Sequence, residues 1–260
     1  MKNLTYFLDQ PGGNFTATTE LMPEPGSGEI RLRTLKTSVC QSDVVIHQQG
    51  LPRIKQWPAI LFHEACCVVD AVGDGVEEYV QGDLVGLGCD IPCGDLACIY
   101  CGTNGTGDWT SCPNTQATGH EFPGFARLYA ILPDWFVKLG PIVKFPKDFD
   151  PSYVCQLEPL ACCLEGMTRV NNCIENRIVV LIGAGSQSTY ALQCAQAMNA
   201  RKIIVINRGQ ARLERVMNDF GDDNVIGIRW DEQVMDNVFK ACQPFNEPHF
   251  LMVNAPCREA

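Results

Sequence analysis

Positive charge is scarce in this chain. Its 260 residues carry 20 Lys and Arg against 30 Asp and Glu, a net charge of −10, with a pI near 4.8. No basic run and no interleaved basic-aromatic patch appears. Nucleic acid and anionic membrane surfaces are therefore excluded as partners, because phosphate contacts need clustered Lys and Arg. Long apolar runs are also missing: none reaches the roughly 18 residues of a membrane span. The N-terminus, "MKNLTYFLDQPGG", has one lysine and no apolar core, so it does not read as a signal peptide. These absences lead to the expectation of a cytoplasmic protein with no membrane partner.

Cysteine, by contrast, is plentiful, with fifteen residues. Without a secretory signal, the reading shifts from disulfides toward metal ligands, reactive thiols or small core residues. Hydrophobic residues make up 46% of the chain, enough for a large core.

Up to about residue 165 the chain reads as short strands broken by Gly and Pro, with little helical periodicity. "GEIRLRTLKTSVC" (28–40), "CCVVDAVGDGV" (66–76), "GDLVGLG" (82–88) and "GFARLYAILP" (124–133) are strand candidates. The character changes near residue 155. "QLEPLACCLEGMTRV" (156–170) spaces apolar residues at helical intervals. "RIVVLIGAG" (177–185) and "RKIIVIN" (201–207) are continuous apolar runs, as in strands buried on both faces. Helical segments at 188–200, 211–221 and 232–242 alternate with further strands at 224–228 and 249–255. Strand-helix alternation predicts a parallel α/β sheet. The expected organisation is a β-rich domain over 1–165 and a dinucleotide-binding α/β domain over 166–260.

"VLIGAGSQSTYAL" (180–192) supplies Gly183 and Gly185, then Ser188 where a dinucleotide fingerprint has its third small residue. Gly183 suits the tight turn, Gly185 the close approach of a pyrophosphate, and the helix start the phosphate charge. The next buried strand ends at Asn207 and Arg208. Asn207 can bond a ribose hydroxyl without repelling a 2′-phosphate, and Arg208 and Arg212 can attract one. NADP and NAD both fit, with a slight lean to NADP; the bland reading of the arginines is solvated charge at a helix start.

"CDIPCGDLACIYCGTNGTGDWTSC" (89–112) holds five cysteines. Cys93, Cys98, Cys101 and Cys112 suit a closed tetrahedral zinc site in a loop too poor in apolar residues to order itself. Cys89 is a spare that could replace Cys93.

Three more residues are dispersed. Cys40 is read as ending a strand, His63 as lying in the buried strand "LFHEACCVV", and Glu158 as opening a helix. Each alone has an ordinary structural explanation. Together, Cys, His and Glu make a three-ligand zinc site with one open position, the form of a catalytic site. Asp43 and Glu64 are then natural groups to orient the ligands.

With "SVCQSDV", "PAILFHEACCVVDAVGDGV", "GDLVGLG", the cysteine loop, "GFARLYAILP", "EPLACC" and "VLIGAGSQ" in order, the chain resembles the zinc-dependent medium-chain alcohol dehydrogenases. "EPLACC" is closest to the polyol and sugar dehydrogenase branch. The resemblance implies a GroES-like catalytic domain and a Rossmann domain, the latter incomplete because family members continue further. It implies catalytic zinc on Cys40, His63 and Glu158, structural zinc on Cys93, Cys98, Cys101 and Cys112, and Ser42 as the hydroxyl that starts a proton relay. Glu64 matches a glutamate that in some members swings in as a ligand, and Asp43 matches the supporting carboxylate. A small alcohol or ketone substrate and a possible homo-oligomer follow. Departures are Phe62 in place of the glycine before the His-Glu pair, Cys67 in place of a later glycine, and a longer cysteine loop. A catalytically inactive zinc-stabilised nucleotide-binding protein and a zinc-free quinone or enoyl reductase remain the alternatives.

Overall fold

The structure is a computed structural model and describes residues 2–169, 174–243 and 250–253, the last four and Thr110 by backbone only. The chain divides into two compact units, Met1–Glu158 and Pro159–Ala260.

The first unit opens with an antiparallel hairpin, β1 (Lys2–Leu8) and β2 (Phe15–Leu21). Then come β3 (Ile30–Thr37), α1 (Gln41–Gln49), β4 (Ala65–Val72), β5 (Leu84–Leu87), β6 (Asp90–Ile91), β7 (Gln116–Ala117) and β8 (Tyr129–Leu132). The unit closes with α2 (Asp134–Leu139), β9 (Ile142–Phe145) and α3 (Pro151–Val154). Five strands form an antiparallel sheet in the order β8-β3-β4-β5-β9. β3 alternates its faces too little to be half-solvated: Ile30 and Leu32 are fully buried and join Val69, Val85, Leu87, Phe125 and Phe136 in the main core. A separate ribbon pairs β6 with β7, with Asp90 opposite Ala117.

Three details differ from the sequence reading. Cys40 does not end a strand. It lies three residues past β3 and is the N-cap of α1, in extended backbone. Helix α1 escapes the pattern because its apolar residues, Val44, Val45 and Ile46, are contiguous rather than spaced at helical intervals. His63 and Glu64 precede β4 instead of lying within it. The backbone there is bent by Phe62, which has φ +71°, in the left-handed region that glycine occupies without penalty. The hairpin of β1 and β2 was not anticipated either.

In the second unit, α4 (Leu157–Thr168), which begins at the end of the first, leads to β10 (Ile178–Ile182), α5 (Ser186–Ala197), β11 (Lys202–Asn207), α6 (Gln210–Phe220), β12 (Val225–Arg229), α7 (Val234–Cys242) and β13 (Phe250–Val253). The sheet is parallel, in the order β12-β11-β10-β13. That is the 3-2-1-4 order of a Rossmann half, with its reversal beside β10. The run "IVVLI" is continuous because one face packs on α5 and α6 through Val179 and Leu181. The other face packs on α7 through Ile178 and Val180. Residues 249 and 254–255 of the anticipated last strand lie outside the described residues.

Candidate functional site

The cysteine loop is held by short turns. Cys98 N–H donates to the Asp95 carbonyl at 3.1 Å and Gly102 N–H to the Cys98 carbonyl at 2.9 Å. This folding brings the sulfurs of Cys93, Cys98, Cys101 and Cys112 within 4.8 Å of one another. Three of the separations are 3.4 Å (Cys101–Cys93), 3.6 Å (Cys101–Cys98) and 3.8 Å (Cys98–Cys112). A tetrahedron of zinc–sulfur bonds near 2.3 Å has edges of about 3.8 Å, so these spacings fit zinc. They are far longer than a disulfide bond of about 2.05 Å. The backbone N–H groups of Cys101 and Tyr100 lower the Cys98 thiol to about 7, so it enters the thiolate form readily. Burial pushes the Cys101 thiol up to about 12, which leaves a cost that a cation would offset. Cys89 is not in this cluster: the spare lies elsewhere.

A second group forms where α1 begins. One ligand atom each from Cys40, His63 and Glu64 fall within 4.8 Å of one another. Asp43, 3% exposed, holds the two strands of chain that carry them. Its carboxylate accepts from Cys40 N–H at 2.9 Å and from Phe62 N–H at 3.2 Å. Burial raises the Asp43 pKa, against the opposing pull of those two amides and of His63. The Phe62 carbonyl in turn accepts from Phe125 N–H at 2.8 Å. Gly124 lies so close behind that a Cβ there would stand 2.2 Å from the Leu61 carbonyl oxygen.

The electrostatics describe a site that favours positive charge. His63 is 3% exposed, and burial opposes its charge. Yet the Cys40 thiol, Asp43 and Glu158 together raise its pKa to about 9. Its Nδ1 and the Ser42 Oγ are buried with no hydrogen-bond partner. Buried polar atoms of this kind normally find partners. A zinc ion bound by thiolate, imidazole and carboxylate fits the donor set. Glu158, the second residue of α4, acts on His63 through its charge, while Glu64 is the carboxylate inside the 4.8 Å trio.

A third group was not anticipated. His63, Cys89 and His120 also place one ligand atom each within 4.8 Å of one another. The His63 and His120 rings lie 5.7 Å apart at 38°. Sequence spacing offered no signal for it, because Cys89 was indistinguishable from the loop cysteines and His120 stands alone in "TGHEF".

In the second unit, Gly183 turns the chain after β10 with φ +112°, its N–H donating to the Ile206 carbonyl at 2.7 Å. Gly185 is the N-cap of α5, and a Cβ on it would meet nothing within 4 Å. That open space in front of a helix N-terminus suits a phosphate. Ser188 is 2% exposed, small enough for the close packing of α5 on the sheet, and its Oγ lacks a partner. Asn207 ends β11 and donates its side-chain N–H to the Gly209 carbonyl at 2.8 Å. Arg208 and Arg212 are exposed just beyond. Among the described residues no helix is long and apolar enough to cross a membrane.

Comparison with known proteins agrees with this division. Residues 26–142 match the alcohol dehydrogenase GroES-like domain, and residues 166–238 match the shikimate / quinate 5-dehydrogenase family. L-threonine 3-dehydrogenase of Pyrococcus horikoshii is 31% identical over 240 residues, covering 91% of this chain and 65% of that protein. Galactitol 1-phosphate 5-dehydrogenase of Escherichia coli is 28% identical over 190 residues, covering 71% of this chain and 50% of that protein. The chain thus spans between half and two thirds of the length of these curated relatives. Among solved structures, an alcohol dehydrogenase of Thermotoga maritima superposes with a TM-score of 0.84 at 20% identity, over 97% of this chain and 71% of that one; the likeness concerns the fold. With a GroES-like unit, a Rossmann-type unit and these relatives in sequence, the chain is similar to the medium-chain alcohol dehydrogenases across both units.

Proposed function

We propose that this chain carries the zinc and cofactor sites of a dehydrogenase that moves a hydride between a secondary alcohol of polyol, sugar or cyclitol type and NADP or NAD. The observation that carries the reading is the buried Ser42 hydroxyl, without a partner, two residues from Cys40 in the trio with His63 and Glu64. A hydroxyl in that position can take up the proton that leaves the substrate oxygen.

Cys40 and His63, with Glu158 or Glu64 as the carboxylate, would hold the ion. When bound, zinc supplies Lewis acidity that lowers the pKa of a substrate hydroxyl. Ser42 accepts the hydroxyl proton and passes it toward solvent. A nicotinamide cofactor held at the start of α5 would supply the hydride acceptor needed for an alcohol to become a ketone. Asp43 keeps Cys40 and Phe62 in place through its two amide hydrogen bonds. Gly183, Gly185 and Ser188 would receive the pyrophosphate at the start of α5, Asn207 the ribose, and Arg208 and Arg212 a 2′-phosphate. Relatives named for L-threonine and for galactitol 1-phosphate support a substrate with a secondary hydroxyl. Cys93, Cys98, Cys101 and Cys112 would hold a second zinc with a structural role.

The test is a steady-state screen of polyols, L-threonine and sugar phosphates with each cofactor, on the zinc-loaded protein and Ser42→Ala. Ser42→Ala should lower kcat about 100-fold or more while zinc content stays unchanged. Cofactor binding without turnover of any alcohol would instead support the inactive nucleotide-binding reading.

A further inference from the structure

We infer that His63 serves two overlapping metal positions, and that Cys89 and His120 complete the second. The trio His63, Cys89 and His120 offers one thiolate and two imidazole nitrogens within 4.8 Å of one another. The first trio, Cys40, His63 and Glu64, shares only His63 with it.

The second trio is built, not incidental. Cys89 directly precedes β6, and His120 follows β7, so the ribbon of Asp90 opposite Ala117 sets their separation. Thr118 fastens the two ends: its N–H and its Oγ1 both donate to the Cys89 carbonyl, at 3.0 and 3.3 Å. Gly119, at φ +76°, then turns the chain so that His120 N–H reaches back to the Ala117 carbonyl at 3.1 Å. The His120 Nδ1 stands 3.2 Å from the Thr118 carbonyl oxygen. A carbonyl can only accept, so Nδ1 carries the proton and Nε2 keeps the lone pair. Fixing one ring nitrogen on a backbone carbonyl is how metal-binding histidines are commonly oriented. The next residue, Glu121, is locked by a two-pronged ion pair to Arg53 at 2.7 and 3.1 Å. His120 and Glu121 also line a cavity of about 360 Å³. The buried His63 Nδ1, which has no partner, is a donor atom that an ion on either trio would satisfy.

Thiolate with two imidazoles suits zinc, and equally cobalt or nickel. A neutral imidazole has one lone pair on its ring nitrogens, so His63 ligates one ion at a time. The two trios are therefore alternative seats for a single ion. This inference concerns the metal only and stands whether or not the chain turns over an alcohol.

Cobalt reports the seat by spectroscopy. The full chain is prepared with zinc on the four-cysteine loop, confirmed as one zinc per chain by elemental analysis, and titrated with Co²⁺. In Cys40→Ser the first trio has no sulfur. If the second seat exists, this variant still takes up one cobalt and shows a near-ultraviolet thiolate-to-cobalt band. That band should vanish in Cys40→Ser/Cys89→Ser, and cobalt uptake should weaken at least tenfold in Cys40→Ser/His120→Asn. Retained zinc in every variant shows that the unit has folded. The inference is overturned if Cys40→Ser shows no thiolate band, or if the band survives removal of Cys89.

Discussion

Phe62 stands at φ +71° immediately before His63, and its replacement gives a result opposite to the usual rule. At most positions alanine is more stabilising than glycine by about 0.5–1 kcal/mol, because glycine loses more backbone entropy on folding. In the left-handed region a side chain costs roughly 1–2 kcal/mol, and alanine at such a position destabilises instead. Both substitutions remove the same packing. The Phe62 ring is half-buried, stacks on Phe15 at 6.0 Å and rests on the cluster of Leu8, Ile46 and Leu61. Losing it should cost about 1.5 kcal/mol, half the upper value for a buried aromatic. The backbone bonds of Phe62 to Asp43 and Phe125 survive in either variant. Phe62→Ala should therefore fall about 1.5 kcal/mol below the parent, and Phe62→Gly should be about 1 kcal/mol more stable than Phe62→Ala. Urea titration of the three zinc-loaded proteins, followed by tryptophan fluorescence, measures the order. Alanine equal to or above glycine would refute the left-handed backbone at the head of the His63 segment.

Other expectations follow from the same region. Gly124→Ala would drive a Cβ to 2.2 Å from the Leu61 carbonyl oxygen, a backbone atom that cannot rotate away; the cost should be about 2–3 kcal/mol, and a change under 0.5 kcal/mol in the urea midpoint would contradict it. In zinc-free protein, Cys98, lowered to about 7 by the amides of Cys101 and Tyr100, should be alkylated by iodoacetamide with a rate that rises through pH 7, and zinc should block it. Cys66 and Cys67, pushed up to about 12 by burial, should stay unlabelled in the native protein at pH 8; mass-spectrometric mapping of the label distinguishes the sets.

Much of the second unit was legible because its signals are local. A continuous apolar strand, glycines at the turn and a helix directly after them are all forced by the short connection between β10 and α5. The first unit was legible in its strands but less so in its site. Cys40 and His63 could be picked out together, but the carboxylate that shares their cluster is Glu64 rather than Glu158, and the local structure of these residues could not be read. Cys40 caps a helix whose apolar residues cluster instead of recurring, and His63 sits on a bend that only the unusual Phe62 betrays. The choice between Cys89 and Cys93 was closed to sequence reasoning, since either spacing can close a four-sulfur loop. It is decided by the ribbon of β6 and β7, a long-range pairing that carries Cys89 away to His120. His120 itself gave no warning, because its partners lie 31 and 57 residues distant in the sequence.

The most direct measurement is the zinc content of the full chain by native mass spectrometry, alone and with single substitutions. Two zinc ions per chain are expected, falling to one in Cys98→Ser and to one in His63→Ala, with the four-cysteine zinc retained in the latter. A parent protein with one zinc, unaffected by His63→Ala, would contradict a metal at the Cys40 and His63 site and with it the proposed chemistry.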